Sequence, residues 1–226
     1  MVDSSRHKFT GFIMRELSRN LIGLIYNPDI EGAESLVEAL VVSFGLQDIS
    51  WVSSVSNLEE FMPELTETRV LITAGGDGTI LRTVHVMAEL EVPIVGINMG
   101  RVGFMSELSV DEAYTRLKKY LEGELRTEER MMLQACVGQS LTKHPRVIYH
   151  ALNDVVIGQS GATRLLDIKA RVDNTSLTTY RADAVIVSTA TGSTGYAFSA
   201  GGPILYPEAR DMLVQPVAPH TGLREG

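Results

Sequence analysis

The sequence predicts an α/β domain, built on a mostly parallel sheet with helices on both faces, followed by a mainly β domain. Two observations carry this. Between about residues 20 and 125, compact apolar runs alternate with stretches of helical spacing; after Gly123 the runs become β-rich. The 226 residues allow one large domain or two small ones and can bury a sizeable core. We divide them into an N-terminal extension (1–20), an α/β domain (21–125) and a mainly β domain (126–226).

Taken in order, Leu21 to Tyr26 is an apolar strand closed by Asn27-Pro28. Ala33, Leu36, Val37, Leu40, Val41 and Phe44 then recur at helical spacing. A weaker strand at Ile49 to Val52 comes next. The third, Val70 to Ala74, runs directly into Gly75-Gly76-Asp77-Gly78-Thr79 and a helix bearing Ile80, Val84, Met87 and Ala88. A fourth strand, Pro93 to Ile97, precedes a loop from Asn98 to Glu107. Ser109 and Glu112 form an S-x-x-E capping box that opens a helix through Tyr120, ending near Gly123. Beyond it, Met131 to Val137, Val147 to Ile157 and Leu165 to Val172 read as strands. A hairpin turn at Asp173-Asn174 leads to the return strand Ser176 to Tyr180.

Composition excludes several classes. Hydrophobic residues at 44 % and charged ones at 21 % rule out a disordered chain, and apolar runs as short as Val185 to Val187 cannot span a bilayer. A formal charge of -8 argues against general affinity for nucleic acid or anionic membranes, so an anionic ligand must be held locally. The single cysteine, Cys136, excludes an internal disulfide and suits a reducing, cytoplasmic setting. The first twenty residues lack the continuous apolar stretch of a secretory signal. A cloning remnant or an upstream start, with Met14 as an internal candidate, explains them as well as function does.

Four motifs carry chemistry. In Gly75-Gly76-Asp77-Gly78-Thr79, glycines at a strand-to-helix turn permit positive φ and close approach to a ligand, and free amides at the helix start suit phosphate oxygens. A carboxylate there repels an anion unless it has a proton to take, which makes Asp77 a candidate base for phosphoryl transfer. The same loop is also what an ordinary β-to-α turn with an Asp cap looks like, and without a Lys-Ser/Thr ending it is not a Walker loop. Thr189-Ala190-Thr191-Gly192-Ser193-Thr194-Gly195-Tyr196, followed by Ser199 to Pro203, clusters hydroxyls that can read a ribose and an aromatic face that can meet a base. It also fits a structural small-residue turn. Asn153-Asp154 inside an apolar strand places one polar residue in the interior or a cleft, although strand ends often carry such pairs. Arg101, in the fourth motif at 98–104, could meet a phosphate or stay solvated. His7, His85, His144, His150 and His220 lack metal-ligand spacing, and His85 is expected to be partly buried or capping.

Together, Gly75 to Thr79, Asn98 to Phe104, Asn153-Asp154 and Asp183 to Pro203 resemble the motifs of the NAD kinase family, in the family's order, over about residues 20 to 221. The T-x-T-G-S-T-x-Y-x-x-S-A-G-G-P-I run is the specific part; the G-G-D-G-T turn is shared with lipid kinases and phosphofructokinases. The resemblance implies a two-domain protein with NAD bound in the cleft between the domains. It implies transfer of a phosphoryl group from ATP or polyphosphate, with Mg²⁺ held through the phosphates and no protein metal site. Asp77 matches the base facing the adenosine 2'-hydroxyl, Asn153 the residue holding the ribose hydroxyls, and Asp154 its acidic support. Ser188, Thr191, Ser193, Thr194 and Tyr196 match contacts to the adenosine and phosphate region. Asp183 matches an acidic position at the dinucleotide, and Gly76, Gly78 and Thr79 the turn around the phosphates. A homo-oligomer, dimer or tetramer, is implied as well.

The chain departs from the pattern in places. Ala182-Asp183-Ala184 stands where the family has G-D-G, and Ala190 where it has proline, so two loop paths are expected to shift. Val214 to Thr221 resembles the family's P-x-x-P-H region, and the family continues for some tens of residues beyond it. An incomplete β domain with unpaired strand edges is therefore expected. Two competing functions remain at this stage: a shortened homologue that binds NAD(P) without catalysis, and a lipid kinase of the diacylglycerol or sphingosine type.

Overall fold

In the computed structural model, residues 20–87, 90–100, 103–124, 127–138, 147–159 and 165–220 are described. Residues 1–19, Arg101, His7, His144 and the last six positions lie outside them, and so do the expectations attached to those residues. The chain divides into two compact units, with the division between Thr127 and Glu128. The expected α/β unit and β-rich unit are both present.

The first unit is a five-stranded parallel sheet in the order β2-β1-β3-β4-β5. Its strands are β1 (Leu21–Tyr26), β2 (Ser50–Ser54), β3 (Thr68–Gly75), β4 (Ile94–Asn98) and β5 (Leu108–Ser109). Its helices are α1 (Ala33–Ser43), the short α2 (Met62–Thr66), α3 (Asp77–Met87) and α4 (Val110–Leu121). A 3-10 turn at Leu58–Phe61 leads into α2; neither it nor α2 is legible in the apolar periodicity, since both are shorter than two helical turns.

Alternation along the strands builds two cores. Ile22 and Leu24 of β1 and Val70, Ile72 and Ala74 of β3 face one side, where α1 and α4 cover them with Leu36, Val37, Leu40, Ala113 and Leu117. The intervening Ile25 and Leu71 face the other side and pack with Trp51, Leu58, Leu65 and Met87. The Trp51 indole stacks on Phe61 at 5.3 Å and donates its N–H to Thr68 Oγ1 at 2.9 Å, so its buried polar end is satisfied. Ser109 caps α4 as expected. Its hydroxyl accepts the Glu112 amide while the Glu112 carboxylate accepts the Ser109 amide, and Gly123 closes the helix at φ 72°.

The second unit is β-rich. β6 (Leu133–Val137) pairs antiparallel with β7 (Val147–Ala151). β8 (Asp154–Gly158) pairs with β11 (Ala184–Ser188), which also pairs with β12 (Leu213–Val217). β9 (Leu166–Val172) and β10 (Thr175–Ala182) form the expected hairpin, with both turn residues, Asp173 and Asn174, at positive φ. A single turn of helix, α5 (Tyr196–Ser199), follows a 3-10 turn at Thr191–Thr194.

Three expectations are corrected. Val147 to Ile157 is not one strand: it breaks at Leu152-Asn153, and its halves join different sheets. The break follows from pairing, because the main-chain carbonyls at the corner bond to Thr189 instead of to a neighbouring strand. Ala182 and Ala184 have no positive φ, so the departure from G-D-G costs no backbone strain. His85 is exposed in the last turn of α3 and is neither buried nor a cap of the glycine turn. No helix among the described residues is long and apolar enough to cross a membrane.

Candidate active site

The strand order of the first unit reverses between β1 and β3, each of which leads to a neighbour on its opposite side. In open parallel sheets the carboxyl ends of the strands at such a reversal frame a ligand crevice. Gly75 ends β3 and Asp77 begins α3, which puts the glycine turn at that position. The geometry of the turn differs from the expected one. None of Gly75, Gly76 and Gly78 has a positive φ. Gly75 is required for space, because a Cβ there would overlap the Thr79 side chain. Gly76 and Gly78 face open room, which keeps the helix start accessible to a ligand. Thr79 is buried, and its Oγ1 has no hydrogen-bond partner among the described residues.

Asp77 is half-buried and tethered. Its Oδ2 accepts the Phe104 amide at 2.7 Å and its Oδ1 the Met105 amide at 3.2 Å. A carboxylate offers about four lone-pair sites, so two amides leave room for about two more donors. Sequence reasoning found the acid and the 98–104 motif separately. It missed that the second holds the first, because a contact made by main-chain amides leaves no mark in residue type.

In the second unit the hydroxyl-rich segment folds back on the corner at Leu152-Asn153. Thr189 is fully buried: its hydroxyl donates to Leu152 O at 2.6 Å and accepts the Gly192 amide at 3.0 Å, while its own amide donates to Asn153 O at 2.9 Å. Gly192 lies so close to the Asn153 carbonyl that no side chain fits there. Ser188 Oγ donates to the Thr189 and Asn153 carbonyls. Ser193 Oγ donates to Ala190 O at 2.6 Å and accepts the Leu205 amide at 2.9 Å. Both serines are fully buried and committed to main-chain atoms.

Of the remaining candidates Thr191 is buried, and the others are half-buried or exposed. Thr191 Oγ1 accepts from Arg130, which is also paired with Glu128; no sequence signal marked Arg130. Thr194 is half-buried and donates to Thr191 O. Tyr196 is exposed at the start of α5. Asp183 is half-buried between β10 and β11, its amide tied to Val217 O. Asn153 presents a buried Oδ1 with no partner among the described residues, an acceptor whose burial costs free energy until a donor arrives. Beside it, burial pushes the Asp154 carboxyl above the ordinary aspartate range. Among the described residues no three His, Cys, Asp or Glu side chains gather into a metal-binding group.

Comparison with known proteins bears on both units. The model of the ATP-NAD kinase N-terminal domain matches residues 22–125, and that of the ATP-NAD kinase C-terminal domain matches residues 152–225. An NAD kinase of Dehalococcoides mccartyi is 39 % identical over 204 residues, covering 89 % of this chain and 71 % of the relative. One of Geobacter metallireducens is 42 % identical over 164 residues, covering 72 % of this chain and 56 % of the relative. Among solved structures, an NAD kinase from Archaeoglobus fulgidus in complex with ATP matches with TM-score 0.66 at 30 % identity, covering 91 % of this chain and 74 % of that one. Yeast NADH kinase complexed with NADH shares the fold, with TM-score 0.75 at 23 % identity over 90 % of this chain and 68 % of that one. These matches are to NAD kinases and do not favour the lipid-kinase alternative. With both halves matched by the family's own domains, the chain belongs to the NAD kinase family.

Proposed function

We propose that this chain phosphorylates NAD at the 2'-hydroxyl of its adenosine ribose, giving NADP. The observation that carries the proposal is the Asp77 carboxylate, fixed by two amides at the open start of a helix that offers its own amides to phosphate. The family's relatives, named as NAD kinases and one of them solved with ATP, supply the substrate class.

In this mechanism the Asp77 carboxylate takes the proton of the 2'-hydroxyl. The oxygen attacks the terminal phosphorus of a phosphoanhydride, ATP or polyphosphate, and the bridging P–O bond breaks to release the shortened donor. A base positioned in this way contributes about 10²–10⁴-fold. Asn153 holds a ribose hydroxyl through its free Oδ1, with Asp154 beside it, and Tyr196, Thr194, Thr191 and Asp183 meet the adenosine region. Gly76, Gly78 and Thr79 accommodate the phosphates. Ser188 and Ser193 act by fixing the loop that presents those groups. Mg²⁺ bound through the donor's phosphates fits a chain whose described residues gather no carboxylate cage, and would supply charge neutralisation. The reading includes a cytoplasmic enzyme that assembles as a homo-oligomer.

The test is formation of NADP from NAD and Mg-ATP by the purified 226-residue chain, read with an NADP-specific dehydrogenase. Steady product is expected. Calorimetric binding of NAD with no ATP-dependent product would instead identify a binding homologue without catalysis.

A further inference from the structure

We infer that Gly103 is a positioning residue for the acid at residue 77, its absent side chain being the space in which the carboxylate sits. The inference rests on the proposed role of Asp77 as base. A Cβ at Gly103 would fall far inside van der Waals distance of Oδ1, Cγ and Oδ2 of Asp77 together. No positive φ is involved at Gly103, so the requirement is for volume and not for backbone freedom.

The chain around this glycine makes the contact specific. The next two residues donate the amides that grip the carboxylate, Phe104 to Oδ2 and Met105 to Oδ1. The loop thus folds around the acid from three consecutive residues: one yields space and two supply donors. Its far end is anchored, since the Glu107 amide bonds to Gly96 O at 2.9 Å and Leu108 pairs in the sheet. Its near end is anchored by the Met99 amide on Gly75 O, also at 2.9 Å. A loop tied at both ends cannot easily retreat from an added methyl group. The carboxylate, the free end of a short side chain, must swing away instead, and it then leaves both amides. The physical consequence is selective: alanine at 103 displaces the reacting group while leaving the sheet and helix that carry it in place.

Three variants of the full chain test this: Gly103→Ala, Asp77→Ala and the pair together, with Asp77→Asn assayed alongside. Gly103→Ala is expected to lower kcat roughly 100-fold, the scale of a misplaced reacting group, with KM for NAD and ATP within about threefold. Its Tm should fall by about 2–4 °C. Adding it to Asp77→Ala should change Tm by no more than about 1 °C, because the methyl group then enters vacated space. A kcat near that of the parent in Gly103→Ala, with Asp77→Asn inactive, would overturn the positioning role and leave the base intact. An undiminished Asp77→Asn would overturn the base assignment itself. The Tm cycle decides the spatial claim in either case: an equal Tm loss in both backgrounds contradicts it.

Discussion

Asp154 shows how a binding residue can weigh on stability. Burial raises its carboxyl pKa in the folded chain above the value it has when unfolded. Between those two values the folded state binds more protons than the unfolded one, so this group's contribution to stability falls as pH rises through the window. The charged form, buried with no cation as a cause of its shift, is therefore a cost at neutral pH. Asp154→Asn is expected to melt higher than the parent at pH 7, with the gap closing as pH falls through the raised pKa toward the ordinary aspartate value; thermal melts across pH 3–8 check it. A gap that widens toward acid would contradict the sign. The sequence showed that Asn153-Asp154 was out of place in an apolar run, and the structure half-buries both residues, with the Asn153 Oδ1 fully enclosed. The sequence could not show the corner between two sheets that half-buries them, because both flanking segments are apolar enough to read as one strand.

The hydroxyl cluster is best understood as an element. Read as a list of contacts, Ser188, Thr191, Ser193, Thr194 and Tyr196 look equivalent, yet the fold sorts them. The fully buried hydroxyls bind main chain, and the later residues, Thr194 and Tyr196, keep exposed surface. Spacing alone does not reveal this, since a small polar residue serves a turn or a ligand equally well. Thr189, unmarked as a site residue, is the link that ties the segment to the Asn153 corner. Thr189→Val keeps the shape and removes the hydroxyl's bonds, to the Leu152 and Asn153 carbonyls and from the Gly192 amide. It should cost about 1–3 kcal/mol, read as a lower urea midpoint at unchanged slope. A midpoint equal to the parent's would show that the corner does not depend on this hydroxyl. The glycine turn taught a related lesson: its residue types were legible, but Gly75 makes room for Thr79 without adopting an unusual backbone.

At the scale of the whole molecule, the α/β half was the more legible because its strands alternate cleanly between two helix-covered faces, whereas in the second half the β9–β10 hairpin was legible but the pairings of β11 with β8 and β12 join segments well separated along the chain. Both cores described above lie between Leu21 and Leu121. By contrast Val147, Ile148, Tyr149, Val156 and Ile157 of the second unit are exposed. A fragment of residues 20–127 is accordingly expected to melt cooperatively on its own, and a broad, non-cooperative transition by circular dichroism would contradict that expectation. The central claim concerns the chemistry of one acid, so its most direct measurement is the single-turnover rate of NADP formation by this chain and by Asp77→Asn, both saturated with NAD and Mg-ATP. We predict a loss of at least about 100-fold with both substrates still bound; a variant that turns over at the parent rate would contradict the account.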